Sequence, residues 1–172
     1  MFATLLLPNF YLQAISRHQP ELRAQPLAVL DEQARKAAIL QLNEAAAAAG
    51  VVAGMTPSQA LARSLALVIK ARAHDREAQV TDILLHHAFL LSPFVEETAP
   101  GVCTVRFTNT ARLPEKVAHV IASLAQCDVV ARSGIATNPD ASLLAAHLAE
   151  PVLAVHDAKK FFAPLPLATL TV

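Results

Sequence analysis

The chain has 172 residues, of which 54% are hydrophobic, and this length fits one domain or a small domain with an inserted sub-domain. Polar residues interrupt every apolar run before it reaches the roughly 20 residues that cross a bilayer, which excludes a membrane-spanning helix. The 14 basic and 14 acidic side chains cancel and are scattered, so any DNA is expected to be held weakly by this segment alone.

The cysteines and the N-terminus indicate the compartment. Cys103 and Cys127 form no CxxC pair, which is typical of a reduced, cytoplasmic protein. No basic region precedes the first apolar run, and Pro8 interrupts that run, so no signal peptide is expected. The sequence therefore predicts a cytoplasmic protein with no membrane partner.

Residues 1–15 predict a strand, a tight corner and a helix. Residues 2–7 form a mostly apolar run without polar alternation, as in a strand buried on both faces of a sheet. Pro8 and Asn9 follow, and apolar residues then recur at helical spacing. The segment contains no Asp, Glu, His or Cys, so the end of this strand is not expected to hold a metal ion.

The next segment predicts short strands around alanine-rich helices. Residues 27–30 and 37–42 are expected to pair as a hairpin across a polar turn at residues 31–35, and residues 67–69 form a third strand. A helix begins at Asn43 and ends at Gly50, the usual left-handed terminator. Thr56, followed by a proline and by Gln59, predicts a capped start for the next helix.

The rest of the chain alternates between helices and strands. The predicted elements are, in order, a helix over 76–91, strands over 94–98 and 102–108 around a turn, a helix over 115–126, a strand over 129–136, a helix opening at Asn138 and Pro139, and a strand over 152–155. Without residues 8–73, the pattern as far as Ala136 is βαββαβ. We therefore expect an α+β fold, a ferredoxin-like sheet with a small inserted α/β sub-domain.

Several segments resemble a known family. They are FYLQA at 10–14, QPELRAQPLAVLD at 19–31, AAGVVAGMTPSQALA at 48–62, LLSPFVE at 90–96 and SGIATNPDASLLAAHLAEP at 133–151. In this order they resemble the Y-family, or UmuC-like, translesion DNA polymerases, and within them the ImuB-type proteins. The resemblance implies a palm at residues 1–7 and 74–165, fingers at 8–73, and a tail at 166–172 where a thumb would begin.

The resemblance also implies that the catalytic metals cannot bind. The family's first metal-binding Asp falls on Leu6, its backbone-carbonyl ligand on Leu7 and its next Asp on Pro8, while an Asp-Glu pair falls on Gly101 and Val102. Two Mg²⁺ ions need carboxylates to hold them, and none of these side chains offers an oxygen ligand. We therefore expect a pseudoenzyme with degenerate catalytic positions and with no metal or other cofactor.

The nucleotide-binding positions of the family are only partly filled. An Arg that reaches the triphosphate falls near Ala47, and a Lys falls on Glu150. Tyr11 occupies the aromatic steric-gate position, with Phe10 beside it. The two rings are either the remnant of a nucleotide pocket or core aromatics on a helix, and we favour the core interpretation.

Displaced acids keep an alternative open. Glu96 and Glu97 precede the turn where the acids are expected, and Asp31 ends a strand. An active metal-dependent DNA nucleotidyltransferase could draw on them, although solvated glutamates and a turn aspartate are the simpler interpretation. The seven histidines show no HxH, HxxxH or HExxH spacing, which argues against a zinc site.

The function implied by the resemblance is an accessory or scaffold role in DNA repair. Such a protein takes part in translesion synthesis during the SOS response to DNA damage, and positions another translesion polymerase or the sliding clamp through regions beyond this chain. A self-associating structural module without a DNA role is a third interpretation of the same sequence.

Overall fold

A computed structural model describes residues 1–32 and 37–166. Contacts divide the chain into two compact units: unit 1 comprises Met1–Pro8 and Thr81–Val172, and unit 2 comprises Asn9–Val80. Residues 33–35 of the predicted polar turn and nearly all of the predicted tail lie outside the described residues. None of the described helices combines the length and the hydrophobicity needed to traverse a bilayer.

The elements of the described chain follow the predicted alternation. The strands are β1 Phe2–Leu6, β2 Leu27–Asp31, β3 Ala38–Leu42, β4 Val68–Ala71, β5 Val95–Ala99, β6 Val102–Arg106, β7 Arg132–Ala136 and β8 Val152–Ala154. The helices are α1 Phe10–Ser16, α2 Pro20–Arg23, α3 Glu44–Ala48, α4 Pro57–Arg63, α5 His74–Phe89, α6 Leu113–Gln126, α7 Pro139–Leu148 and α8 Ala158–Phe162.

Unit 1 contains a sheet with the strand order β5-β6-β1-β7-β8. β1 is antiparallel to both β6 and β7, and β8 adds a fifth strand parallel to β7. The predicted ferredoxin-like sheet is therefore confirmed, with β8 as an addition at one edge. Ala3, Thr4, Leu5 and Leu6 are all buried although successive side chains point to opposite faces, so β1 is covered on both sides as predicted.

The approach of α7 to the sheet depends on Gly134 in β7. A Cβ atom at this position would lie 2.1 Å from the Ser142 carbonyl oxygen and 2.3 Å from the Ala146 nitrogen of α7. Glycine therefore allows the helix backbone to contact the strand. The first turn of α7 is fixed by Asn138, whose Oδ1 accepts a hydrogen bond of 2.8 Å from the Ala141 N–H.

Unit 2 is built on a three-stranded sheet with the order β3-β2-β4. The predicted hairpin is confirmed as the antiparallel pair β2–β3, and β4 lies parallel to β2. Both predicted helix starts are also confirmed, because the Asn43 side chain accepts from the Ala46 N–H and Thr56 and Gln59 form a reciprocal capping box. Gly50, just past α3, has a left-handed φ of 81°.

Two features differ from the sequence interpretation. The short helix α2 is not among the predicted elements. α6 begins earlier than predicted, because Arg112 adopts a left-handed φ of 54° and Leu113 is already buried. The division between the two compact units falls inside α5, after Val80, and the Arg72–Glu77 ion pair and the hydrogen bond from Arg76 to the Ile15 carbonyl lie within unit 2. The bounds of a palm and of fingers stay a prediction.

Candidate functional site

The five expected metal positions meet at one end of the strand pair β1–β6 in unit 1. Leu6 lies directly opposite Val102 in the antiparallel register. The Leu7 N–H donates a hydrogen bond of 2.8 Å to the Gly101 carbonyl, and Pro8 follows directly. Gly101 has a φ of 74°, which fits the turn between β5 and β6. The fold thus brings together the five positions on which, by the resemblance, the family's metal ligands fall.

The side chains at this place form an apolar cluster. Leu6 and Val102, which are 7% and 9% exposed, pack with Leu143 and the fully buried Ala146 of α7. Mg²⁺ requires carboxylate, carbonyl or water oxygens, and hydrocarbon side chains both lack ligands and exclude water. The residues at this position therefore do not fit a pair of divalent metal ions.

The displaced acids do not complete a metal site. Glu96 and Glu97 are exposed on the edge strand β5, and they pair with Thr104 and Cys103, not with Val102. Successive strand residues face opposite sides, so one of the two glutamates lies on the face of Thr104 and the other on the face of Cys103. Within residues 1–32 and 37–166, no cluster of three or more His, Cys, Asp or Glu could hold a metal ion.

Asp31, the third displaced acid, ends β2 in unit 2, where it has at least one polar or electrostatic partner.

The buried Cys103 thiol of unit 1 offers no reactive sulfur. Burial, followed by the charge of Glu97, raises the pKa of this thiol to about 12. The thiol therefore stays protonated at neutral pH, and it behaves as a small core side chain.

Hydroxyl groups fill the middle of the same sheet face. The Thr4 Oγ1 lies 2.7 Å from the Ser142 Oγ of α7 and 3.3 Å from the Thr104 Oγ1 of β6. The Ser142 hydroxyl also donates to the Pro139 carbonyl at 2.7 Å. These groups satisfy one another in the core, so they stabilise the contact of α7 with the sheet and leave no free nucleophile.

The two aromatic residues have different surroundings in unit 2. Phe10 is 4% exposed, whereas Tyr11 is half-buried, and their ring centroids lie 5.3 Å apart in an edge-to-face arrangement. The N–H groups of Tyr11 and Leu12 donate to the Gln41 Oε1 at 3.0 and 3.3 Å. Phe10 is therefore a core side chain, and Tyr11 stays partly accessible to solvent.

The guanidinium of a partly buried ion pair lies over the Tyr11 ring. The Arg72 guanidinium lies 4.5 Å from the ring centroid, and it donates to both oxygens of Glu77 at 3.1 and 2.6 Å. The hydrogen bond to Glu77 raises the pKa of Arg72, against the opposing effect of burial. We refer to Tyr11, Arg72 and Glu77 as the polar network of unit 2.

Sequence reasoning missed this network, although one signal was present. Glu77 lies in line with Val80, Leu84 and Ala88 on the buried face of α5, and all four are buried. A carboxylate in an apolar stripe requires a cation nearby. At the two other family positions, Ala47 and Glu150 are exposed and carry no positive charge.

The comparison with protein families decides the identity of this fold. A model of the impB/mucB/samB family matches residues 5–147, which is most of the chain. The chain belongs to this family. The impB/mucB/samB family is the Y-family polymerase domain, so the predicted family is confirmed, and the ImuB subtype stays a prediction. No curated protein sequence is significantly similar to the chain.

Solved structures share the fold of this impB/mucB/samB domain. The crystal structure of DinB from Sulfolobus solfataricus superimposes with a TM-score of 0.86 at 15% identity, over 99% of this chain and 53% of that one. An insertion ternary complex of Dbh DNA polymerase gives the same values. A post-insertion binary complex of Dbh gives 0.81 at 16% identity, over 98% and 52%. The chain thus spans about half the length of these polymerases.

Proposed function

We propose that this chain is the palm and fingers of a non-catalytic, ImuB-type member of the Y-family. In this proposal unit 1 is the palm, unit 2 is the fingers, and the protein serves as an accessory or scaffold in cytoplasmic translesion synthesis after DNA damage. The observation that carries the proposal is the apolar cluster of Leu6, Val102, Leu143 and Ala146 at the family's metal position.

The chemistry of nucleotidyl transfer explains why an apolar cluster at this place argues against catalysis. Two-metal catalysis requires carboxylates that hold two ions about 4 Å apart and stabilise the attacking and leaving oxygens. A buried hydrocarbon cluster supplies none of these ligands, and a cation placed against it would lose its hydration without compensation. In this proposal, the site therefore supports no step of nucleotidyl transfer.

A scaffold role agrees with how the units are stabilised. The chain's own side chains bury β1 on both faces, so the sheet of unit 1 can present a fixed shape to partners. In this proposal, DNA binding through this segment is weak because the chain has no net charge. Another translesion polymerase and the sliding clamp would bind through regions outside the chain.

Titration with metal and nucleotide tests the proposal. Isothermal titration of the chain with MnCl₂ and deoxynucleoside triphosphates, together with a primer-extension assay, is expected to give no binding heat and no product. Glu96→Gln is the matched variant, because Glu96 is the exposed acid whose strand partner is Thr104. Extension by the parent that Glu96→Gln abolishes would establish the alternative, an active nucleotidyltransferase.

A further inference from the structure

A surface groove lies in unit 1 where the chain leaves α5 and passes α6. The groove has a volume of about 530 Å³, which accommodates several side chains. Leu90, Leu91 and Val120 form its apolar part. Leu90 is 68% exposed and the neighbouring Phe89 is 56% exposed, so large apolar side chains are left in water at this place. Such a patch is typical of a protein-binding surface.

Side chains with hydrogen-bond donors to an acid run along the α6 side of the groove, and Lys116 is the one among them whose charge no described residue compensates. Arg112, at the start of α6, is followed by Lys116 and His119 at the spacing i, i+4, i+7, which places them along about 10 Å of one helix face. The acid of the groove, Glu115, is neutralised by Arg112 with an Nε–Oε2 distance of 2.5 Å. Lys116 forms no ion pair with any carboxylate of the described ranges.

We propose that this groove, which we call the α6 groove, docks an acidic amphipathic helix of a partner protein. Apolar side chains on one face of that helix contact Leu90, Leu91 and Val120. Acidic side chains one turn apart face Lys116 and His119, because two helices that lie side by side repeat their contacts at the same spacing. The net charge of the chain is zero, so the uncompensated charge of Lys116, with the His119 ring one turn away as a second hydrogen-bond donor, is the local feature that favours an acidic partner.

The composition of the α6 groove favours a protein over a nucleic acid. Binding to a phosphate backbone depends on clustered cations, whereas here a neutralised Arg112–Glu115 pair and exposed leucine side chains occupy much of the surface. The inference does not depend on the metal position at Leu6, so it can fail while the proposed function holds, and the reverse is also possible.

Fluorescence anisotropy with two labelled peptides tests the inference. Both peptides are helical with leucines along one face, and the flanking positions are Glu in one and Lys in the other. We expect the Glu peptide to bind at least about tenfold more tightly than the Lys peptide, with an affinity that falls as salt rises. Duplex DNA added as a competitor is expected to leave the bound Glu peptide in place.

The variants change exposed residues, so the variant proteins are expected to fold like the parent. Lys116→Glu is expected to weaken binding of the Glu peptide about tenfold and to strengthen binding of the Lys peptide. Leu90→Ser is expected to weaken binding of both peptides about tenfold. Lys159→Glu, an exposed charge reversal on α8 outside the groove, is the matched control and is expected to bind like the parent.

Each contrary outcome overturns the inference. Equal affinity for the two peptides, equal effects of Lys116→Glu and Lys159→Glu, or absence of binding would remove the acidic helix as the occupant. Displacement of the peptide by DNA would assign the surface to nucleic acid. Sedimentation that shows a dimer of the parent, lost in Leu90→Ser, would make a second copy of the chain the occupant.

Discussion

The apolar cluster of unit 1 and the polar network of unit 2 stabilise their units in different ways. The cluster buries Leu6, Val102 and their neighbours and contains no charge. The network contains a charged pair that is satisfied within unit 2, with Arg72 stacked on the half-buried Tyr11 ring. The charges of the polar network are paired within the chain, whereas the apolar cluster contains no charge that would need a partner.

The largest effect is expected from a charge placed in the apolar cluster. Leu6→Asp should lower the free energy of unfolding by about 4 kcal/mol, because it removes a buried side chain and buries a carboxylate without partners. Urea denaturation measures the change, and Leu90→Asp on the surface should cost less than about 0.5 kcal/mol. Recovery of Leu6→Asp by millimolar Mg²⁺ would show that a carboxylate restored at this position can hold a metal ion.

Removal of one partner of the ion pair should have the next largest effect. Glu77→Leu is expected to cost about 2 kcal/mol, because it leaves the Arg72 guanidinium partly buried without its carboxylate. The double variant Arg72→Leu/Glu77→Leu should be more stable than Glu77→Leu, which a double-mutant cycle in urea measures. Additive losses in that cycle would contradict a coupled network.

A smaller effect is expected at the aromatic position of the network. Tyr11→Ala should cost about 1.5 kcal/mol, less than the roughly 3 kcal/mol of a fully buried ring, and Phe10→Ala should cost more. Tyr11→Phe keeps the ring beneath Arg72 and should be nearly neutral. Thermal unfolding compares the three variants. A Tyr11→Ala protein that is stable but has lost nucleotide binding would assign Tyr11 to a nucleotide pocket.

The smallest predicted effect is on how the free energy of unfolding of the chain depends on pH, through His147 in unit 1. Burial, followed by the nearby Arg132, holds the pKa of His147 below its usual value of 6.5. The unfolded chain therefore binds this proton more readily, so the free energy of unfolding should fall as the pH falls below about 6.5. His147→Gln should reduce that slope between pH 7 and 5 in urea titrations. An unchanged slope would mean that other groups cause it.

Local signals in the sequence predicted much of the secondary structure of both units. The caps at Asn43 and Thr56 and the hairpin that follows Leu27 depend on neighbours in the chain, so their patterns could be recognised. The sequence also indicated that the site of Leu6 and Val102 is apolar, because the chemistry of these side chains is the same in any fold.

Contacts between elements could not be predicted from the same patterns. The pairing of Arg72 with Tyr11 joins side chains from distant parts of the chain, and periodicity within one element carries no information about such a partner. The left-handed conformation of Arg112, the residue before α6, is likewise not indicated by its own residue type. Half-burial of Tyr11 follows from these long-range contacts.

The contact between Gly134 and α7 has a consequence for how such proteins diverge. The backbone of α7 occupies the space into which any side chain at residue 134 would project. The helix can therefore approach the strand this closely only because glycine has no Cβ atom. Leu6 and Val102 do not contribute to that approach, because it is set by the backbone of α7 against residue 134. If the proposed function holds, a Y-family domain can lose its metal ligands and still keep the spacing between its helix and its sheet.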